Sequence, residues 1–277
     1  ISVNDVKKLI KKCVSNNFIE FDTSPSYKKA DKILLEFKKK NPKILINTKC
    51  GWDVNMKRTY DIDEIKKGID STLEKFGVIN VLQLHNPRNE IKNWDLIIEM
   101  FNSYKKKRLI NFSGISLARN YYFPSKILNS FDFIQDEFNL LRIDPIKKMK
   151  NYKNILAARS VLANGILTDG FNQKSAYQAN DHRSAWLKGD RKKNIFKQKE
   201  LLEKLTNDNI AQFALNFAIH YKMFDKYIYG FRTERQLESL INNLKNSKPL
   251  NKETIQKINS LHRDNRFFLN KKLRYNN

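Results

Sequence analysis

The chain alternates short apolar or β-branched runs with longer amphipathic segments. The short runs predict β-strands, at residues 18–21, 44–48, 81–84, 111–115, 133–135, 155–158 and 227–229. The segments between them carry apolar residues with the helical period of ~3.6, and the clearest stripe is Ile65, Ile69, Leu73 and Phe76. Strands and helices in strict alternation predict a parallel sheet with crossover helices.

Two architectures fit this pattern, an open doubly wound sheet and a (β/α)8 TIM barrel. The open sheet predicts a G-x-G-x-x-G fingerprint after its first strand, but the chain has 8 glycines, none so arranged. The 277 residues are enough for one large α/β domain or two small ones, and the length alone favours neither. No Pro/Gly/Ser-rich linker interrupts the series, so we predict one barrel domain over residues 1–264 and a basic tail over 265–277.

Three segments depart from a regular barrel. The chain begins inside what looks like the helix after a first strand, so that strand is missing from the expected eight; a fragment or an unusual closure would explain this. Residues 164–206 lack a clear core pattern, which predicts a functional cover or a flexible insert. In the tail, Phe267, Phe268 and Leu269 could pack on the barrel, although we favour a disordered basic tail.

The net charge of +24 raises the question of nucleic-acid binding. The basic residues are scattered, mostly where helices would end, and no aromatic-interleaved basic motif is present. We therefore favour a solvated basic surface over a nucleic-acid partner. With only Cys13 and Cys50 as cysteines, no zinc spacing, no signal-peptide pattern and no long apolar run, the sequence predicts a cytoplasmic protein without a metal or membrane partner.

Four residues whose side chains could take part in catalysis lie at or just after the ends of three consecutive predicted strands. Asp22 and Tyr27 come after the first, Lys49 ends the second and His85 ends the third. These ends converge at the mouth of a barrel, where active sites are built. An ammonium held by a carboxylate makes a nearby phenol a stronger acid, which suits it to protonate a carbonyl oxygen.

Each of these residues also has a purely structural interpretation. Tyr27 could be a packing aromatic, His85 a hydrogen-bonded core histidine, and Asp22 the cap of the next helix. Their placement at successive strand ends favours one shared site.

The motifs resemble those of the aldo-keto reductases over nearly the whole chain. FDTSPSY at 21–27 is similar to that family's D-T-A-x-x-Y motif, TK at 48–49 to its lysine segment and LQLHNP at 82–87 to its histidine strand. FSGISL at 112–117, FIQDEFNLL at 133–141, ARSVLANGILT at 158–168 and YIYGFRTERQLESL at 227–240 resemble its cofactor-binding segments.

This resemblance implies an NADP(H)-linked oxidoreductase that reduces an aldehyde or ketone, with Tyr27 as general acid. It implies a catalytic tetrad of Asp22, Tyr27, Lys49 and His85. The implied cofactor contacts are Ser116 and Gln135 at the nicotinamide carboxamide, Ser160, Leu162 and Gly165 along the pyrophosphate, and Arg232 at the adenosine 2′-phosphate.

Some positions differ from the family pattern. Leu117 replaces a common asparagine, Arg159 a common aromatic, and Ser239 with Leu240 a Glu-Asn pair. These changes and the absent first strand leave open a degenerate relative that acts as a binding or regulatory module without turnover. The sequence does not indicate the oligomeric state or which carbonyl compound is the substrate, and the weak candidates for its pocket are Trp52, Leu117 and Trp186.

Overall fold

The computed structural model of the protein describes residues 2–27, 29–53, 55, 57–118, 123–149, 152–179 and 181–264. Its strands are β1 Glu20–Asp22, β2 Leu45–Cys50, β3 Ile79–His85, β4 Ile110–Ser116, β5 Phe133–Glu137, β6 Ile155–Arg159 and β7 Lys226–Ile228. Each predicted strand overlaps one of these, so the strand predictions are confirmed.

Helices separate most of the strands. The α-helices are α1 Val3–Ser15, α2 Lys29–Lys40, α3 Ile62–Phe76, α4 Trp94–Lys106, α5 Ser125–Leu128, α6 Asp144–Lys148, α7 Arg183–Trp186, α8 Gly189–Glu203, α9 Ile210–His220, α10 Glu234–Lys245 and α11 Lys252–Arg263. Short 3-10 turns occupy Pro25–Tyr27 and Ala163–Gly165.

Local sequence signals define the helix ends. Helix α1 begins with a capping box, in which the Ser2 hydroxyl accepts from the Asp5 N–H and the Asp5 carboxylate accepts from the Ser2 N–H. Helix α3 has Asp61 as its N-cap, and it ends at Gly77 with a φ of 67°. Glycine adopts this left-handed conformation without steric cost, so the helix stops there.

The strands form one sheet in which spatial order follows chain order from β1 to β7. Neighbouring strands from β1 to β5 pair in parallel, with Asp22 opposite Asn47, Lys49 opposite Gln83, and Ser116 opposite both His85 and Gln135. Because parallel strands share one direction, the carboxyl ends of β1 to β5 lie at the same edge. The predicted tetrad and carboxamide residues lie at or just beyond this edge.

The chain divides into two compact units. The first unit comprises residues 1–136, 152–157 and 231–237, and the second comprises 137–151, 158–230 and 238–277. In the first unit, α1 and α2 pack on β2 through one apolar cluster, whose buried members are Ile10, Ile33, Leu34, Ile44, Ile46 and Phe76. In the second unit, Phe138 stacks on Phe217 and Phe224.

Residues 164–206, in which the sequence shows no clear core pattern, contain the helices α7 and α8. The sequence pattern does not predict helix α8, because the buried side of this helix includes Asn194, Gln198 and Lys199. The Lys199 ammonium donates to the carbonyl oxygens of Thr168 and Phe171 at 2.8 and 2.7 Å. Because polar residues interrupt the apolar positions Ile195 and Leu202 on this face, the sequence shows no continuous apolar stripe.

The structure also bears on the predictions about the C-terminal tail, membrane-spanning helices and the two cysteines. The tail at 265–277, with Phe267, Phe268 and Leu269, lies outside the described residues. No helix of the described ranges is long and apolar enough to cross a membrane. Cys13 and Cys50 are both buried and carry free thiols.

Candidate active site

A buried ion pair joins the ends of β1 and β2. The Lys49 ammonium lies 2.5 Å from Asp22 Oδ2, and the two side chains are 3% and 13% exposed. The same ammonium donates to the Thr23 carbonyl oxygen at 2.9 Å. A lysine this deeply buried is stable as a cation only because these oxygens replace water. The structure therefore brings together two of the four predicted tetrad residues as a charged pair.

Two glutamine amides hold the other oxygen of Asp22. Gln83 Nε2 on β3 and Gln135 Nε2 on β5 each donate to Asp22 Oδ1 at 3.0 Å. Both glutamines are almost fully buried. The carboxylate thus accepts one ammonium and two amide hydrogen bonds, and this set fixes its orientation.

The two residues predicted at the nicotinamide carboxamide lie side by side. Ser116 Oγ donates to Gln135 Oε1 at 3.2 Å, and each residue is 1% exposed. The Leu117 N–H donates to the Gln135 carbonyl oxygen at 2.8 Å, and the Leu117 side chain is completely buried. Ser116 and Gln135 therefore connect the predicted carboxamide position to Asp22.

His85 ends β3 and contacts a tryptophan from the loop after β2. Trp52 Nε1 donates to His85 Nδ1 at 3.0 Å, and the two rings meet edge to face. Arg58 packs over the Trp52 ring, with its guanidinium carbon 5.0 Å from the ring centre, and donates to the carbonyl oxygens of His85 and Asn86. Trp52 and Arg58 therefore fix both the ring and the backbone of His85.

Tyr27 closes the 3-10 turn Pro25–Tyr27 that follows β1. Its N–H donates to the Ser24 carbonyl oxygen at 2.8 Å, and the residue is 53% exposed. This exposure distinguishes Tyr27 from the buried Asp22 and Lys49, and it leaves the side chain accessible to a ligand.

The second unit contains the segment predicted to follow the pyrophosphate. Ser160 and Gly165 both have left-handed backbones, with φ of 57° and 87°. A carbon added at Gly165 would lie 3.2 Å from Arg183 Nη1, which donates to the Asn164 carbonyl oxygen at 3.0 Å. This hydrogen bond from Arg183 connects the turn after Leu162 to the helix that contains Trp186.

Arg183 is itself held by an acidic neighbour in that segment. Asp181 accepts from Arg183 Nε at 2.9 Å and from Nη2 at 2.7 Å, and the guanidinium lies over the Tyr177 ring at 4.1 Å. Trp186 is partly buried in the short helix α7.

Arg159 ends β6. Its guanidinium lies 3.8 Å from Glu137 Oε2, and the Glu137 side chain has no exposure. Because a buried carboxylate is costly without a cation, Arg159 has an electrostatic role within the second unit.

Arg232 precedes α10 and is exposed. The Gln236 side-chain oxygen accepts from the Arg232 N–H at 2.7 Å, and the Gln236 N–H donates to Thr233 Oγ1 at 3.2 Å. These contacts cap the helix, whose N-terminal end favours anions. Further along α10, Ser239 is exposed and Leu240 is buried.

Gln83 and Arg58 contact the site but are not among the residues predicted from the sequence. The sequence could have indicated Gln83, since side chains of a strand alternate between its two faces. Gln83 lies two residues before His85 and therefore on the same face. The sequence could not have indicated Arg58, because its contacts depend on a bridge between Trp52 and Arg58 within an irregular loop.

Comparisons with known proteins extend these observations. The model of the Aldo/keto reductase family matches residues 1–263. No curated protein matches the chain.

Two solved proteins have a similar structure. The glycerol dehydrogenase AKR11B4 from Gluconobacter oxydans has a TM-score of 0.76 at 18% identity, covering 93% of this chain and 84% of that one. The holo form of aldo-keto reductase AKR11C1 from Bacillus halodurans has a TM-score of 0.74 at 18% identity, covering 92% and 86%.

This likeness confirms the predicted (β/α)8 fold class, with seven strands in the described part of this chain. The family match supports carbonyl oxidoreduction with a nicotinamide cofactor. The chain belongs to the aldo/keto reductase family.

Proposed function

We propose that the protein reduces an aldehyde or ketone with NADPH, and that Tyr27 donates the proton to the carbonyl oxygen. The observation that carries the proposal is the buried Lys49–Asp22 pair, 2.5 Å apart, at the strand end next to the Tyr27 turn. A buried ion pair adds little stability compared with apolar packing, so its placement favours a chemical role.

Among the described residues, two oxygens accept hydrogen bonds from the Lys49 ammonium, which leaves one N–H for a further acceptor. An ammonium carries three N–H groups, and Asp22 and Thr23 accept two of them. The third suits the Tyr27 hydroxyl, whose developing negative charge it would stabilise as the proton leaves. Asp22 keeps the ammonium in place throughout, and His85 orients the carbonyl oxygen.

The residues fit a bound NADP(H), which supplies the hydride. Ser116 and Gln135 would hold the carboxamide through the hydrogen-bonding capacity that remains on their hydroxyl and amide groups. Ser160, Leu162 and Gly165 would follow the pyrophosphate. Arg232 would bind the 2′-phosphate, since a guanidinium suits a dianion and the start of α10 adds a favourable dipole.

The substrate is a small carbonyl compound, and Trp52, Leu117 and Trp186 are the proposed pocket residues. The free thiols of Cys13 and Cys50 fit the reducing cytoplasm, where we place the reaction.

The test is NADPH consumption by the purified protein with sugar-like carbonyls, aromatic aldehydes and small ketones. Tyr27→Phe should abolish consumption while NADPH still quenches tryptophan fluorescence, because only the proton donor is lost. Tyr60→Phe is the matched control, since the buried Tyr60 hydroxyl has no hydrogen-bond partner in the described structure. An undiminished rate for Tyr27→Phe would refute the proposed mechanism.

A further inference from the structure

Among the described residues, the Gln83 side chain makes one hydrogen bond, and its partner is Asp22. The Gln83 side chain is fully buried, with Nε2 donating to Asp22 Oδ1 at 3.0 Å. Its own Oε1 is buried and accepts no hydrogen bond from the described residues. A buried amide with an unsatisfied oxygen costs stability, and leucine would fill the same space without that cost. The amide N–H is therefore the reason for a glutamine at this position.

The alternation of strands explains how Gln83 reaches Asp22. Side chains within one layer of an α/β barrel come from alternate strands. Asp22 lies on β1, Gln83 on β3 and Gln135 on β5, and the two amides converge on one carboxylate oxygen. These three residues form a polar layer directly beside Lys49.

A glycine on β4 provides the space for this reach. Gly114 lies opposite Gln83 in the register of β3 and β4. A carbon added at Gly114 would lie 2.9 Å from Gln83 Cγ, closer than real side-chain contacts, and 3.1 Å from Val81 Cγ1, a tight contact. A larger residue at this position would therefore force the Gln83 side chain to shift.

We infer that Gln83 is a positioning residue for the proposed reaction: it holds the Asp22 carboxylate so that Oδ2 stays directed at the Lys49 ammonium. This inference rests on the proposed function. Gln135 shares the task, but it also touches Ser116 at the proposed carboxamide position. In the described part of the chain, the Gln83 side chain hydrogen-bonds only to Asp22, so its removal should affect turnover without affecting cofactor binding.

The experiment compares Gln83→Leu with the wild-type protein. Gln83→Leu should lower kcat about tenfold, the scale of one hydrogen bond to a charged group, and leave KM and NADPH affinity unchanged. Thr48→Val is the matched control, since Thr48 is a fully buried neighbour of Lys49 whose hydroxyl has no partner in the described part of the chain. It should keep wild-type kcat.

A second variant separates positioning from packing. Gln83→Glu keeps the shape and can donate to Asp22 only when its own carboxyl is protonated. Asp22 and Lys49 are the charged groups that face it. Its kcat relative to wild type should therefore rise as pH falls, whereas a packing defect would give a constant ratio.

The outcomes separate this inference from the proposed function. If the wild-type protein consumes no NADPH, the proposed function fails first. If it does, and Gln83→Leu retains wild-type kcat or loses kcat only together with NADPH affinity, the positioning role is wrong.

Discussion

The indole N–H of Trp52 donates to Nδ1 of His85 over 3.0 Å. An indole nitrogen only donates, so this Nδ1 carries no proton and the ring proton of neutral His85 resides on Nε2. Nε2 is then the nitrogen that can donate to a substrate carbonyl oxygen. Trp52 thus has a definable task even though the sequence suggested only a weak pocket role.

We predict that Trp52→Phe lowers kcat/KM for carbonyl reduction about tenfold, because the ring remains but the donor that fixes the tautomer is lost. Nitrogen-15 NMR of histidine-labelled protein should show an unprotonated Nδ1 at His85 in the wild type and mixed tautomers in the variant. Trp94→Phe is the control, since Trp94 packs on Phe123 instead. Equal activity and unchanged His85 signals in Trp52→Phe would refute this role.

Removing either partner of the Lys49–Asp22 pair should lower the free energy of unfolding, but by different amounts. Asp22→Asn should cost about 3–5 kcal/mol of unfolding free energy, because it leaves a buried ammonium without a counter-ion. Lys49→Met should cost less, because Asp22 keeps its two amide donors and is more exposed than Lys49.

Urea unfolding gives the free energy of unfolding for each single variant and for the double variant. The double variant should lose less unfolding free energy than the sum of the two single losses. Strict additivity would show that the pair is not coupled.

Cofactor choice should depend on Arg232. Arg232→Gln should weaken NADPH binding about tenfold or more and leave NADH binding unchanged, because only NADPH carries the 2′-phosphate. Fluorescence quenching with each nucleotide gives both affinities. Arg235→Gln, at another exposed arginine and the second residue of α10, is the comparison. Loss of NADH binding in Arg232→Gln would indicate a structural defect, and no change with either nucleotide would exclude this contact.

A buried histidine predicts acid sensitivity of the second unit. Burial lowers the pKa of His262 to about 4, although the Leu140 carbonyl oxygen, 2.8 Å from Nε2, and the charge of Asp144 act in the opposite direction. The unfolded chain takes up this proton near pH 6.5, so the unfolded state binds more protons between these values. Stability should therefore fall as pH drops from about 6.5 to 4, by up to roughly 3 kcal/mol.

The variant that tests this is His262→Gln, which keeps a donor for the Leu140 oxygen but does not titrate. Urea unfolding across this pH window should give a flatter profile for the variant than for the wild type. Parallel profiles would show that another group causes the acid loss.

The sequence contained most of the information on the fold and part of that on the site. Asp22, Lys49 and His85 were found because charged or ionisable residues at apolar strand ends are conspicuous, and the seven strands because β-branched runs are. The hydrogen bonds from Gln83 and Gln135 to Asp22 could not be predicted in the same way, because they join alternate strands of the sheet. Nor could the sequence show that Gly114 provides the space for one of them.

Helix α8 shows the complementary weakness of pattern analysis. Its buried Lys199 is satisfied by two carbonyl oxygens from a segment about 30 residues earlier in the chain. A hydrogen bond between residues this far apart in sequence leaves no local pattern. The sequence therefore shows no clear core pattern over this helix.

The most direct measurement is the transfer of deuterium from NADPH labelled at its reactive nicotinamide carbon to a carbonyl compound, followed by mass spectrometry of the alcohol. We expect labelled alcohol from the wild-type protein and none from Tyr27→Phe, with NADPH bound equally by both. Tight NADPH binding by the wild-type protein with no labelled alcohol from any carbonyl class would contradict this expectation, and would indicate a nucleotide-binding relative without turnover.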